Sequence, residues 1–246
     1  MQSLVERLGF CFFNGIILEK KIKTYVYIDG FNLYYGSLKK SPYKWLNPYL
    51  LCQNILSNRN EIESIKYFTA SVSARDNDSG MPMRQSIYFR ALRTIDCLEI
   101  IEGHYLTHKK TMKIAEPPKL YKNIENPMTL ESRYHEVEFA NVVSTEEKGS
   151  DVNLATHLLL DAFDGKFDVA VIISNDSDLA TPVGITRNRF NKKVIILNPH
   201  SKNKASIQLA KFSTKVIQIS SENLSESLFK DSLSDNIGTF TKPASW

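Results

Sequence analysis

Hydrophobic positions along the chain fall into short unbroken runs separated by stripes at helical spacing, and the two patterns take turns. Residues 24–28, Thr-Tyr-Val-Tyr-Ile, are β-branched and aromatic and stop at Asp29-Gly30, which predicts a buried strand feeding a loop. Leu50, Leu51, Ile55 and Leu56 then recur at near-helical spacing, and residues 64–70 read as a second strand. Past a turn-rich stretch at 76–82, Ile87, Ala91, Leu92 and Ile95 make another helical stripe, followed by a third strand over 98–105. Residues 107–147 break the rhythm with Pro117, Pro118, Pro127 and alternating patches such as 135–139, predicting a hairpin-bearing insertion. Helical spacing returns at Ser150, with Val152, Ala155, Leu158, Leu159 and Ala162 assigned to one face, and residues 167–174 form the clearest buried strand. Two shorter strands are predicted over 193–197 and 215–219, with helices over 178–189 and 203–210. Such alternation implies an α/β fold: an open, mainly parallel, Rossmann-like sheet with right-handed crossovers, flanked by helices.

Composition narrows the field. With 246 residues, 42% apolar and 24% charged, the chain buries a normal core, and one domain with an insertion is the simplest division. Residues 1–21 read as an N-terminal extension, 22–220 as the domain proper with its insertion near 107–147, and 221–246 as a polar, partly disordered tail with one short helix. The formal charge of +4 permits an anionic partner without requiring one. Cys11, Cys52 and Cys97 are too few and too scattered for a disulfide framework or a zinc cluster, and read as thiols of a reducing, cytoplasmic compartment. The apolar stretch at 8–18 is shorter than the roughly 20 residues a bilayer crossing needs. It follows Glu6 and Arg7 and carries no small-residue cleavage site, so neither a membrane span nor a signal peptide is expected. Nothing specifies oligomeric state, and a homo-oligomer is compatible with the chain.

Candidate chemistry concentrates where strands end. In open α/β sheets, sites form in the crevice beyond the strands' carboxyl ends, and Asp29 and Asp176 both lie there. Asp151 opens the helix that enters the strongest strand. The insertion returns the chain to the carboxyl edge, so that helix starts on the side of the other two acids. Sharing a face with Ala155, Leu158 and Ala162, Asp151 is expected to direct its carboxylate towards the sheet. Clustered carboxylates repel unless a cation neutralises them, and an oxygen-only set drawn from Asp29, Asp151, Asp176 and Asp178 suits Mg²⁺ or Mn²⁺ better than zinc. Taken singly, each acid has a plainer reading: Asp29 as a turn residue, Asp151 as a helix N-terminal charge, Asp176 as an N-cap. No glycine-rich phosphate loop is present, and Ser174 and Ser177 lack a histidine partner for acyl chemistry. His157 reads as a surface residue, and His104, His108, His135 and His200 as ordinary sheet or loop residues. Asp161 and Asp164 read as surface charges.

Three ordered motifs, Tyr27-Ile28-Asp29-Gly30-Phe31-Asn32-Leu33, Lys148-Gly149-Ser150-Asp151-Val152 and Ser174-Asn175-Asp176-Ser177-Asp178-Leu179, resemble the NYN domain family of the PIN-like nuclease superfamily, which includes a LabA-like bacterial group. The likeness runs from about Ile22 to Ile219. It implies a PIN-like sheet and a Mg²⁺- or Mn²⁺-dependent ribonuclease acting on RNA, with single strands as the expected substrate. By position, Asp29 matches the first family acid, Asp151 the second, and Asp176 with Asp178 the C-terminal pair. The resemblance makes Asn32 and Ser174 supporting hydrogen-bonders, with helix capping the alternative for Asn32. Lys148 is either a phosphate contact or a solvated lysine.

Substrate contacts are expected beside the first acid, where Phe31, Tyr34, Tyr35, Tyr43 and Trp45 interleave with Lys39, Lys40 and Lys44, a mixture suited to stacking bases and tracking phosphates. Arg187, Arg189, Lys192 and Lys193 form a second basic cluster, and residues 108–113 a third. Aromatics at such spacing equally describe a core, and charge runs a solvated surface. Two rival classes remain at this point: a catalytically silent module using the same pocket for RNA or a protein, and a flap-type DNA nuclease, whose longer acidic array and helical arch are not evident in the chain.

Overall fold

Residues Val169–Ile173 place five consecutive side chains in the interior, a pattern that only a strand covered on both faces sustains. The computed structural model describes residues 10–13, 16–74, 78–113, 139–200 and 205–246. In chain order, the antiparallel pair β1 (Phe10–Phe13) and β2 (Ile16–Glu19) precedes β3 (Ile22–Asp29). A one-turn helix, α1 (Gly30–Leu33), runs into a π-helical turn (Tyr34–Leu38), followed by α2 (Pro48–Ile55), β4 (Asn60–Thr69), α3 (Met81–Leu92) and β5 (Leu98–Glu102). The ribbon strands β6 (His104–Lys113) and β7 (Phe139–Lys148) come next. The chain then forms α4 (Ser150–Phe163), β8 (Val169–Ile173), a 3₁₀ turn (Ser177–Leu179), α5 (Ala180–Asn188), β9 (Lys193–Asn198), α6 (Ile207–Phe212) and β10 (Lys215–Gln218). It closes with α7 (Ser221–Ser225) and a hairpin of β11 (Ser232–Asp235) and β12 (Gly238–Thr241).

Six strands form one sheet in the order β10-β9-β8-β3-β4-β5, every neighbour parallel. The chain builds outward from β3 to β5, then crosses back through α4 to lay β8 on the other side of β3. The order therefore reverses between β3 and β8, which opens a crevice at their carboxyl ends. One core packs α2 and α3 against Val26, Ile28, Ile65, Val171 and Ile173. The other packs α4, α5 and α6 against Tyr27, Phe68, Ala170, Ile172 and Ile196.

Three expectations change. The α4 stripe is offset: its inward face is Ser150, Leu154, Leu158, Asp161 and Ala162, whereas Val152 is exposed and Asp151 lies outward. Val152 and Leu158 do not share a face, because six residues offset them by about 120° around the helix. Asp161, read as a surface charge, is 2% exposed. Its Oδ2 accepts from Tyr27 Oη at 2.9 Å and pairs with Lys66 Nζ, while its Oδ1 accepts from Lys166 Nζ at 3.0 Å. Burial alone would raise its carboxyl, but the hydrogen bonds from Lys66, Lys166 and Tyr27 hold it below its ordinary range. Finally, the supposed tail is ordered. Phe229 and Phe240 are buried, Trp246 packs beside Trp45 and Tyr88, and Asp235 takes a bidentate bond from Arg90 at 2.8–2.9 Å.

The insertion is a compact unit of its own, His104–Lys148. Its strands pair antiparallel from His104↔Lys148 to Lys113↔Phe139, wider than the expected 107–147, and the predicted third strand ends at Glu102 rather than continuing into it. The proline-bearing middle (Pro117, Pro118, Pro127 and the 135–138 patch), most of residues 1–15 and the start of the predicted 203–210 helix lie outside the described residues.

Candidate functional site

The strand–turn sequence Asp29-Gly30 sets the first acid. β3 carries Asp29 to its last residue, where Oδ1 accepts the backbone N–H of Asn32 at 2.9 Å and so caps α1. Gly30 permits this turn, since a Cβ there would lie 2.7 Å from the Phe68 carbonyl and the Tyr67 ring. From β8, just across the switch point, Ser174 donates its hydroxyl to Asp29 Oδ2 at 2.9 Å and accepts the Asp176 N–H at 3.1 Å. Asp176 in turn caps the 3₁₀ turn by accepting the Asp178 N–H at 2.9 Å. Capping and ligation are thus compatible for Asp29 and Asp176, because a carboxylate offers about four lone-pair sites and the cap occupies one of them.

Asp29 is 5% exposed. Burial pushes its carboxyl up to about 6 against the pull of the Asn32 N–H, with the charge of Asp151 raising it further, the Ser174 hydroxyl opposing, and Asp176 adding to the rise. Asp29, Asp151 and Asp176 therefore share one electrostatic field although their elements are far apart in sequence. Asp151 reaches it from the exposed first turn of α4, behind Gly149, whose φ of 104° suits glycine. Asp178 is exposed.

Among the described residues, no three His, Cys, Asp or Glu side chains form a ready-made ligand cage. The donor chemistry nevertheless fits a hard divalent cation. All the donors are carboxylate oxygens, one is buried and held by two hydrogen bonds, and two more add negative charge around it. Mg²⁺ in particular binds through one or two carboxylates while keeping several waters.

The remaining expected site residues divide. Asp29, not Asn32, caps α1, and the Asn32 side-chain Oδ1 instead accepts the Asn175 N–H at 3.0 Å and lies 3.0 Å from His200 Nε2. Lys148 pairs with Glu146 at 2.9 Å within the ribbon. Tyr35 is 54% exposed with Lys39 Nζ 4.6 Å above its ring, and Lys40 is exposed beside them. Tyr34 and Tyr43 are half-buried against the core, and Trp45 is interior, its indole N–H bound to the Lys230 carbonyl at 2.9 Å. Arg187 is not brought to the acids. It lies at the end of α5, near the amino edge of the sheet, and donates to the Ser213 carbonyl at 2.7 Å. Two residues that sequence reasoning passed over join the carboxyl edge, His200 and Asn175. Asn175 lies inside the third motif, which was the available signal. For His200, two residues past the end of β9, only its place beyond a strand's carboxyl end could have marked it.

An open parallel sheet whose order reverses between β3 and β8 defines an α/β class with its crevice at the carboxyl edge. Residues 23–220 match the NYN domain family, and the chain belongs to that family, a nuclease-type group with a PIN-like fold. It is also 34% identical over 216 residues to 6-hydroxy-3-succinoylpyridine 3-monooxygenase HspA of Pseudomonas putida, a match covering 79% of this chain and 65% of the relative. The chain thus spans just under two thirds of that relative's length. A crystal structure of a protein of unknown function from Vibrio parahaemolyticus aligns with a TM-score of 0.51 at 16% identity, over 87% of this chain and all of the other, a likeness in fold alone. Among the described residues no helix is long and apolar enough to cross a membrane.

Proposed function

We propose that the protein is a metal-dependent ribonuclease that hydrolyses RNA phosphodiester bonds at the Asp29 edge of the sheet. The observation that carries this reading is the shared field of Asp29, Asp151 and Asp176, which leaves a buried carboxyl pushed up to about 6, an unfavourable arrangement that a divalent cation relieves. Asp29, Asp151 and Asp176 are the residues that would hold Mg²⁺ or Mn²⁺, with Asp178 at the rim. Bound there, the cation supplies a more acidic water and offsets charge on the phosphoryl oxygens. Ser174 and the Asn32 backbone fix the Asp29 rotamer, so that one carboxylate is oriented before any ligand arrives. Tyr35 with Lys39 offers an exposed ring and a cation suited to a base and its phosphate, with Lys40 adjacent.

The experiment is cleavage of labelled single-stranded RNA with Mg²⁺ or Mn²⁺, with and without EDTA, by wild type, Asp29→Asn and Asp176→Asn. Loss in both variants and in EDTA is the expected result; undiminished cleavage in any of the three sinks the mechanism. RNA retained without turnover would identify a silent binding module, and preference for flap DNA a different nuclease class. The 34% identity to a protein named as a monooxygenase favours one second reading, hydroxylation of an aromatic substrate. It is tested by supplying 6-hydroxy-3-succinoylpyridine, O₂ and a reduced nicotinamide donor and following substrate-dependent donor oxidation.

A further inference from the structure

The loops after β3, β8 and β9 are tied together beside the acids by a polar clasp. Asn32 Oδ1 receives the Asn175 N–H at 3.0 Å, Asn175 Oδ1 receives the Ser206 N–H at 2.7 Å, and His200 Nε2 lies 3.0 Å from the same Asn32 oxygen. His200 is itself seated: its backbone N–H donates to Asn198 Oδ1 at 3.0 Å, and its ring lies over Gly36, where a Cβ would come within 3.1 Å of Cδ2 and Nε2. The neighbouring Ser37 hydroxyl donates to the Pro199 carbonyl, which docks the π-helical turn against the same loop. A π turn is a rare conformation that recurs at functional sites, and here it carries Tyr35 and ends beside Lys39.

The clasp settles a proton. A backbone N–H can only donate, so the Asn175 contact makes the Asn32 atom facing it an acceptor, the oxygen. His200 Nε2, at hydrogen-bond distance from that oxygen, must then carry its hydrogen. With Oδ1 occupied twice, the opposite end of the amide, Nδ2, has no acceptor among the described residues, three residues along from Asp29. We infer that His200 is a positioning residue for cleavage: its Nε2–H holds the Asn32 amide with the oxygen inward, which makes Nδ2 the end that meets an anionic substrate oxygen. This rests on the ribonuclease reading and adds to it a residue that touches neither metal nor substrate.

The test separates donor from filler. His200→Phe keeps a ring over Gly36 without a donor, whereas His200→Gln restores an N–H near the Nε2 position. With full-length protein and labelled RNA, His200→Phe is expected to lower kcat roughly 10- to 100-fold with little change in KM, and His200→Gln to recover most of it. Asn32→Ala combined with His200→Phe should be no slower than Asn32→Ala alone, the non-additivity of residues acting through one contact. In mildly alkaline buffer, two-bond ¹⁵N–¹H couplings should show neutral His200 protonated on Nε2. Wild-type rate in His200→Phe, equal losses in His200→Phe and His200→Gln, additive losses in the double variant, or a proton on Nδ1 each overturns the inference. A wild type silent towards RNA overturns the ribonuclease reading instead, and the tautomer then decides whether the clasp exists.

Discussion

Replacing Asp29 by Asn should make the protein more stable at neutral pH while removing its proposed activity. Its carboxyl has an ordinary value of 3.8 and is pushed up to about 6 in the fold, first by burial and then by Asp151 and Asp176. A raised carboxyl means that the folded state holds its proton more tightly than the unfolded chain does. Wild-type stability therefore falls as pH rises from 3.8 through about 6, and the penalty is complete above that. The shift corresponds to about 3 kcal/mol. Asn removes the charge but has one oxygen for the two donors now served, the Asn32 N–H and the Ser174 hydroxyl, and losing one hydrogen bond costs about 1 kcal/mol. The net gain near neutral pH is thus about 2 kcal/mol, shrinking to nothing or reversing in acid. Urea unfolding of both proteins at several pH values measures it, because the difference between the two curves cancels the titrating groups that do not interact with Asp29. Millimolar Mg²⁺ should then raise the wild-type midpoint and leave the variant's unchanged. A variant less stable than wild type at neutral pH, or a difference that does not move with pH, would refute the reasoning.

Further expectations concern the supporting structure. Asp161→Ala leaves Lys66 buried without its partner and should cost about 3–5 kcal/mol in urea unfolding; because the Asp161 carboxyl is held low, its wild-type contribution is present above the unfolded value and lost as acid protonates it. Gly30→Ala forces a Cβ against the Phe68 carbonyl and Tyr67 ring, with an expected cost of about 1–3 kcal/mol read as a lower Tm. Tyr35→Ala should weaken single-stranded RNA binding by about 1–3 kcal/mol without altering Tm, since its ring is exposed, whereas Trp45→Ala should lower Tm steeply.

The parallel sheet was legible because strands covered on both faces leave unbroken apolar runs, and Asp29 and Asp176 were legible because those runs stop beside them. What escaped were relations between distant residues. Lys66 and Asp161 are 95 positions apart, and each looks like a solvated charge until the sheet brings them together. The α4 register slipped because its stripe mixed Val152 and Leu159 with the true inward positions, which moved Asp151 outward while keeping it on the right edge. The last 26 residues read as one short helix before a disordered end from their Ser, Asn, Asp and Glu content. Three anchors at irregular spacing, Phe229, Phe240 and Trp246, bind them to the core without any periodic signature. Aromatic residues beside Lys39 promised a binding surface, yet Trp45 serves the interior.

The glycines that bracket the ribbon bring its two ends together. A Cβ on Gly149 would lie 3.8 Å from the Gly103 Cα, so the chain leaves the main body and rejoins it at nearly the same point. For an excursion whose ends already meet, the cost of closure grows only slowly with its length. The 45 residues from His104 to Lys148 thus form a cassette, a compact unit that hangs from the rest of the chain by its two ends alone, so a change in its length need not move Gly149 or the start of α4.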